Sequence, residues 1–354
     1  MQILDRYIGK AVATGVLSVL LVLLTLDMLI GFASESSQIG REGYTFWYAV
    51  AYVLLRMPQQ MYELFPLIVL LGTMLGLGTL ANSSELIVIR AAGVTTWQLV
   101  GSIMKTAVLL MLLALFIGEV VAPPSIQYAK LKRVKALAAE ISLNTDYGLW
   151  ARDGHTYINV RRVETDGRLT GITLYTFDDL NELKGVTQAA KATHDGKNWV
   201  LSGVTDTVLA KDGIKVKRQR NMTWATLLNP NIVKVVSVAP ENLAIWNLDS
   251  YIDYLKDNGL DTSRYQLSFW NKVFMPVTIG AMVMIAIPFV LGSLRHTGIG
   301  QRIFIGFLGG LIFYLINRLS GQVGIVYGLP AVLSAGLPTF IVLLGSTFLL
   351  RRLR

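Results

Sequence analysis

Long apolar runs, grouped in two sets of three around a polar middle segment, most constrain how this chain can fold. The six runs cover residues 11–33, about 64–81, 97–122, 273–292, 303–321 and 329–350. A helix that crosses the hydrocarbon core of a bilayer needs about 20 apolar residues. Backbone polar groups in lipid must bond within the chain, so each run is expected to be a helix. The sequence therefore predicts three crossings, a large extramembrane domain, and three further crossings.

The distribution of charge predicts the orientation of these crossings. Most positive side chains outside the polar middle fall in four short segments, which are 1–10, 82–96, 293–302 and 350–354. The alternate connections, 34–46 and 322–328, contain only Arg41. Short cytoplasmic loops are enriched in Lys and Arg, so both termini are predicted to be cytoplasmic and the polar middle to lie across the membrane. The net charge of +9 comes without a compact basic patch with interleaved aromatic residues, so nucleic acid is not an expected partner.

The first apolar run has two interpretations. Lys10 gives it a basic flank, and Gly31-Phe32-Ala33 is similar to the small-residue cleavage site of a secretory signal. The run is, however, about twice as long as a usual signal core. Its length favours a membrane helix that is retained in the mature chain.

The polar middle segment has the pattern of an all-β domain. Asp-Gly pairs separate runs rich in β-branched and aromatic residues at positions 153–154, 166–167, 195–196 and 212–213. Asp-Gly between such runs is the strongest short-range signal for a hairpin. We predict an antiparallel sandwich or jelly roll over about 142–238. An amphipathic helix is predicted over about 247–258, with Leu248, Tyr251, Ile252 and Leu255 on one face.

The predicted fold class is therefore a polytopic α-helical membrane protein of six transmembrane helices with an inserted all-β, jelly-roll-like extracytoplasmic domain. Residues 1–123 are expected to hold the first three transmembrane helices, and residues 271–354 the last three. Residues 124–270 are expected to form the extracytoplasmic region between them.

A short helix is predicted on the cytoplasmic side, between the second and third crossings. Asn82 followed by Glu85 is similar to a capping box, and Gly93 can end a helix in a left-handed turn. Two roles are open for this helix. It is either a connector buried against its own bundle or a docking element for a cytoplasmic partner.

Ionisable side chains in the outer halves of the predicted crossings form the second candidate site. Charge within a membrane is costly and usually faces a cavity or another charge. Glu119 and Arg318 either lie at the interface, pair with each other, or line a polar opening between helices. Lys130 and Arg133 share one face if the third helix continues. They then either contact lipid phosphates through charge-assisted hydrogen bonds or form an ordinary solvated face.

The sequence contains no catalytic or nucleotide-binding motif. It has no cysteine and only three histidines, which are far apart. No G-x-x-x-x-G-K-[ST] loop is present, so the chain is not expected to hydrolyse ATP itself. One function class that the residues leave open is a membrane-anchored scaffold or sensor whose β domain binds another protein. A membrane-embedded hydrolase would need a nucleophile–base pair, which the sequence does not contain.

Six short segments stand in a fixed order along essentially the whole chain, and they are LDRYIGK at 4–10, LGLG at 75–78, SELIVIRAAG at 84–93, GEVVAP at 118–123, RYQL at 264–267 and VYGLP at 326–330. In these segments the sequence resembles the LptF/LptG family of lipopolysaccharide export permeases. None of these is a catalytic fingerprint, but their order and spacing are specific. The details are more similar to the LptG branch than to the LptF branch.

The resemblance implies a subunit of an ABC-type exporter in the inner membrane of a Gram-negative bacterium, with the β domain in the periplasm. Such a permease would pair with an LptF-type permease, bind a dimer of the ATPase LptB and associate with LptC. The complex would take lipopolysaccharide from the outer leaflet of the inner membrane and pass it to a periplasmic bridge of β-jelly rolls. This chain would bind no cofactor, and ATP would be used by the partner ATPase.

The resemblance also assigns roles to particular residues. Residues 85–92 would form the coupling helix seated on LptB, with Glu85, Leu86, Ile89 and Arg90 as its contact residues. The candidates for lipid phosphate or for the cavity are Lys130, Arg133, Arg41, Glu119 and Arg318. Relatives often carry lysines at the outer end of the first helix, whereas this chain has no positive charge there before Arg41. A phosphate-binding role for that stretch is therefore not expected. The candidates to replace it are Arg41 and the basic cluster of Lys130, Lys132, Arg133 and Lys135.

Overall fold

A computed structural model describes residues 2–40, 44–137, 149–153, 155–163, 168–178, 182–195, 198–210, 213–224, 239–291 and 299–352. The chain divides into two compact units. The first, which is helical, contains Met1–Ile39, Phe46–Ala129 and Ser263–Arg354. The second contains Gly40–Thr45 and Lys130–Thr262.

The described helices follow one another along the chain as α1 (Gln2–Ser36), α2 (Phe46–Asn82), α3 (Glu85–Ala91), α4 (Thr96–Phe116), a π-helical turn (Ile117–Val121), α5 (Ala122–Leu137), a 3₁₀ turn (Pro240–Asn242), α6 (Ile245–Asp257), α7 (Ser263–Leu291), α8 (Ile299–Val326) and α9 (Ala331–Arg352). Among the described residues, six helical segments are long and apolar enough to cross a membrane, namely Ile3–Ser36, Phe46–Asn82, Thr96–Arg133, Ser263–Leu291, Ile303–Val326 and Ala331–Arg352. The six predicted membrane helices are confirmed.

The first helix is part of the bundle core rather than a loosely attached leader. Its Ile8 and Val12 side chains are fully buried in the same cluster as α2, α4 and α7 residues. The helix also approaches α2 closely, because Gly76 of α2 lies against its backbone. A Cβ added to Gly76 would stand 2.9 Å from Val12 Cα, closer than real side chains come. This packing supports the interpretation of the first apolar run as a retained membrane helix.

The second unit contains a six-stranded antiparallel sheet in the order β1-β2-β3-β4-β5-β6. The strands are β1 (Leu149–Asp153), β2 (Thr156–Val163), β3 (Leu169–Phe177), β4 (Leu183–His194), β5 (Trp199–Ala210) and β6 (Gly213–Trp224). As the Asp-Gly pairs predicted, Asp153 ends β1, Asp195 directly follows β4, and Gly213 begins β6. The pair at 166–167 lies outside the described residues. The all-β insertion is confirmed, and its described strands form a meander in which sequence neighbours pair.

The amphipathic helix of the second unit also follows the prediction. α6 spans Ile245–Asp257, two residues earlier at its start and one at its end than expected from the sequence. The four side chains predicted to share its apolar face are all buried: Leu248, Tyr251, Ile252 and Leu255. Gly259 follows in a left-handed conformation, with φ of +61°, and ends the helix.

Candidate functional site

The short helix α3 is set between two sharp turns. At its end Gly93 adopts a left-handed conformation with φ of +93°, and Thr95 begins α4 with a capping box to Gln98. The predicted start is wrong, because Asn82 is the last residue of α2 and does not cap α3. The backbone N–H of Ser83 still bonds to Thr79, so the α2 ladder runs past the predicted cap. The chain turns instead at Ser84, whose φ is +61°.

α3 divides its apolar residues between two faces. Leu86 is 3% exposed and belongs to the bundle core, and Ile89 packs against that core. Val88 is 67% exposed and Ile87 is 47% exposed. Exposed apolar side chains on a short helix between two membrane spans are available to a protein partner. The exposed apolar side chains of α3 are therefore Ile87 and Val88, which sequence reasoning did not select as contact residues, and Leu86 lies behind them in the bundle core.

A groove beside α3 extends this surface towards the end of α7. It has a volume of about 460 Å³, and its lining residues are Ala81, Leu86, Ile87, Arg90, Ala91, Val290 and Leu291. Arg90 is exposed at the groove. The groove combines an apolar floor with one cation, which suits an apolar partner segment that carries a carboxylate.

Glu85 links α3 to the first membrane helix. Its carboxylate accepts a hydrogen bond from the Tyr7 hydroxyl at 2.5 Å and another from the Ser83 hydroxyl at 2.8 Å. These donors, Tyr7 above all, hold the pKa of Glu85 below its ordinary value. A lowered pKa means that the link is fully formed above the ordinary pKa of a glutamic acid and is lost only as the pH falls through the lowered value. At neutral pH the Glu85 carboxylate is therefore ionised, and its hydrogen bond with Tyr7 connects α3 to α1.

A second tie joins the start of α1 to α4. Asp5 accepts hydrogen bonds from the Ser102 hydroxyl and from the Lys105 ammonium, the latter at 2.6 Å. The Asp5 side chain is 18% exposed, whereas that of Lys105 is 66% exposed. The Asp5 contact and the Tyr7–Glu85 hydrogen bond therefore connect the first turns of α1 to α4 and to α3, the two helices on either side of Gly93.

Glu119 does not pair with Arg318. Its carboxylate lies 2.6 Å from the ammonium of Lys272, and the two side chains are only 13% and 6% exposed. Arg318 is exposed, and its guanidinium is 3.5 Å from the Tyr314 hydroxyl on the same helix. Mutual pairing, one of the predicted alternatives, is therefore wrong. Sequence reasoning missed Lys272 because the fourth apolar run was placed one residue after it, whereas α7 begins at Ser263.

The basic residues after the third crossing lie on a continuous helix. α5 runs through Leu137, so Lys130 and Arg133 share a face one turn apart, as predicted. Both side chains are half-buried, and Lys132 between them is exposed. Arg41, the other basic candidate, lies outside the described residues.

Six apolar spans, a short exposed connecting helix and an inserted antiparallel sheet define a polytopic membrane protein with one extramembrane domain. A family model described as "Lipopolysaccharide export system permease LptF/LptG" matches residues 6–352. The chain is 37% identical over 354 residues to the lipopolysaccharide export system permease protein LptG of Haemophilus influenzae, with 99% of each chain covered. It is 38% identical over 353 residues to the LptG protein of Escherichia coli strain K12, with 99% of this chain and 98% of the relative covered.

Identities of 37% and 38% over nearly the whole chain are high enough to establish membership of a family. The chain belongs to the LptF/LptG family of lipopolysaccharide export permeases. The resemblance noted from short sequence segments is thus confirmed, including its preference for the LptG branch.

Proposed function

We propose that this chain is a permease subunit of an ABC-type lipopolysaccharide exporter. It would take lipopolysaccharide from the outer leaflet of the inner membrane and pass it to a periplasmic β-jelly-roll bridge. The full-length match to LptG relatives supports this function. The exposed apolar side chains of α3 support the proposal that another protein, which binds there, drives the transport. Because the sequence has no P-loop, ATP would be bound and hydrolysed by a separate cytoplasmic ATPase.

The contacts of α3 support a route for the motor's motion. An ATPase dimer that closes on ATP would move the Ile87–Val88 face. Leu86 would transmit the displacement to the bundle core, and the Glu85–Tyr7 bond would transmit it to α1. A conformational change moves a ligand only if the two conformations bind it with different affinity. We therefore propose that the closed arrangement of the spans binds lipopolysaccharide less tightly than the open one.

The partners we propose follow from the same surfaces. An LptF-type permease would cover apolar membrane-facing side chains of this chain, because six helices of one chain rarely enclose a wide lipid cavity. An LptB dimer would bind α3. LptC would add a strand to the sheet, where the edge strand β6 exposes Ile214 and Val216. Long edge strands with exposed apolar residues are the usual sites of such pairing.

The orientation we propose places α3 in the cytoplasm and the sheet in the periplasm. Because the native chain has no cysteine, Asn82→Cys and Arg161→Cys each introduce a single thiol at an exposed position. In cells with a permeabilised outer membrane, a membrane-impermeant maleimide is expected to label position 161 and to spare position 82. Labelling of both positions, or of position 82 alone, would contradict the orientation. Lysed cells, in which both thiols are expected to react, provide the control.

Lys130 and Arg133 are the residues we propose as contacts of the lipid phosphates. They present two cations on one helix face, and guanidinium and ammonium groups form strong charge-assisted bonds with phosphate. Arg318, and Arg41 outside the described residues, remain further candidates for contact with the lipid phosphates. Glu119 is engaged by Lys272, so its proposed role is in the helix packing rather than in lipid contact.

A further inference from the structure

The third membrane span changes its helical geometry near the outer end. Between α4 and α5 the five residues Ile117–Val121 form a π-helical turn. The backbone N–H of Ala122 bonds to the carbonyl of Ile117, five residues earlier. Such a turn holds one more residue than an α-helical turn, and isolated π-turns occur frequently at functional sites.

A buried charged pair lies at this turn. Glu119 is in the π-turn, and its carboxylate is 2.6 Å from the Lys272 ammonium of α7. That ammonium stands 5.2 Å from the ring centroid of Tyr62 on α2. The Tyr62 ring in turn packs against Gly118, where no side chain would fit. Three of the membrane spans thus meet at one ionic contact.

Stability alone does not explain this pair. Replacing a buried ion pair by well-packed apolar side chains is often neutral or stabilising, because both charges lose their hydration. Ionisable residues inside a membrane bundle are therefore more often retained for position or function than for stability. The Tyr62 hydroxyl is also buried without a hydrogen-bond partner in the described residues, which is a further cost of this arrangement.

The backbone around the turn is able to change register with few hydrogen bonds exchanged. Pro123 and Pro124 follow Ala122 directly, and proline has no N–H to donate. In an α-helical turn the N–H of Ala122 would bond to the carbonyl of Gly118 instead of that of Ile117. The next two residues are the prolines, which have no N–H and therefore exchange no hydrogen bond. The prolines thus reduce the number of backbone hydrogen bonds that differ between a π-turn and an α-turn at this site.

We propose that Glu119 and Lys272 hold the third span in one of two registers. With the pair formed, Glu119 faces α7 and the turn is π-helical. With the pair open, the turn becomes α-helical, and α5 advances by one residue. One residue of an α-helix corresponds to a rotation of about 100° and a rise of about 1.5 Å. We call this element the register switch, and it consists of Ile117–Val121 with Lys272.

The register switch makes a specific prediction for the residues beyond it. After the change, each residue of α5 occupies the place formerly held by the residue that follows it. Tyr128 is now 51% exposed, and it would move into the place of Ala129, which is fully buried. Ile126 is buried, and it would move into the half-exposed place of Gln127. Lys130 and Arg133 lie further along α5 and would rotate with it. The inference that this rotation turns them towards or away from lipid rests on the proposed function.

Spin labelling tests the register switch directly. A nitroxide on Tyr128→Cys, in the otherwise cysteine-free full chain, is expected to be mobile with the native pair. In the variant Glu119→Met with Lys272→Met, which leaves no charge unpaired, the label is expected to lose most of its mobile component. A label on Ile126→Cys is expected to change in the opposite direction. Identical spectra with and without the pair would overturn the proposal.

A charge-swapped chain is the matched control. Glu119→Lys with Lys272→Glu restores an ion pair and keeps both prolines, so its Tyr128 label is expected to remain mobile. An immobilised label in the swapped chain would also overturn the proposal, because the pair would then not determine the register. If the double methionine variant does not fold, Glu119→Gln with Lys272→Met provides the same comparison, because it also leaves no charge unpaired. The spectra need neither ATP nor lipopolysaccharide, so their outcome is independent of the transport function.

Discussion

An aspartate in place of Val88 is expected to release the ATPase from this chain. Val88 is the most exposed apolar residue of α3, and a carboxylate there would have to be desolvated in any apolar groove that receives it. Loss of a central interface contact costs about 2 kcal/mol or more, which corresponds to a fall in affinity of roughly 30-fold. Ile87→Asp should have a similar effect. The measurement is the amount of ATPase that co-purifies with the tagged chain in detergent.

Two further variants separate docking from folding. Asn82→Asp adds the same charge to the same connection, but at the end of α2, and it should leave co-purification unchanged. Leu86→Asp buries the charge in the bundle core, so the yield of folded chain is expected to fall as well. Full recovery of the ATPase with Val88→Asp and with Ile87→Asp would reject this face of α3 as the docking surface.

Reversal of charge at both Lys130 and Arg133 is expected to reduce contact with lipopolysaccharide strongly. Each cation that bonds a phosphate contributes about 1.5–3 kcal/mol, and a glutamate in its place repels the phosphate. The double variant Lys130→Glu with Arg133→Glu should therefore lower lipid binding at this site by at least about tenfold. A photoreactive residue at Gln127, one helical turn before Lys130, measures the effect as the yield of lipopolysaccharide crosslinked in membranes.

Lys132 provides the matched control for this reversal. It is exposed on the same helix, about 200° around the axis from Lys130. Lys132→Glu is expected to leave the crosslinking yield close to that of the native chain. An unchanged yield with the double variant would show that these two residues do not bind the lipid.

Features that depend on local patterns were predictable from the sequence. The six apolar runs predict the six spans, because a helix satisfies its backbone hydrogen bonds within a single run of this length in lipid. The Asp-Gly pairs fix hairpins, because they favour the turn that matches strand twist. The face of α6 follows from the 3.6-residue period, and its four predicted residues are all buried.

Features that depend on packing between distant segments were not predictable. The run from Leu86 to Ile89 is apolar on every side of the helix, so only the contact with the bundle decides that Leu86 is inside and Val88 outside. The partner of Glu119 is 153 residues away in sequence, and sequence reasoning had offered Arg318 as the partner instead. Asn82 failed as a cap because α2 continues through it, an effect of tertiary packing on a local signal.

The most direct test of whether a separate ATPase drives lipid transport by this chain is to measure ATP-dependent transfer of lipopolysaccharide in proteoliposomes. The vesicles contain the complex purified through this chain, and a soluble jelly-roll acceptor outside carries a photocrosslinker. Lipopolysaccharide is expected to reach the acceptor only when ATP is supplied, and not when the chain carries Val88→Asp. Transfer that is absent with the native complex and ATP, although the sheet still binds its periplasmic partner, would contradict transport and would indicate a membrane-anchored scaffold.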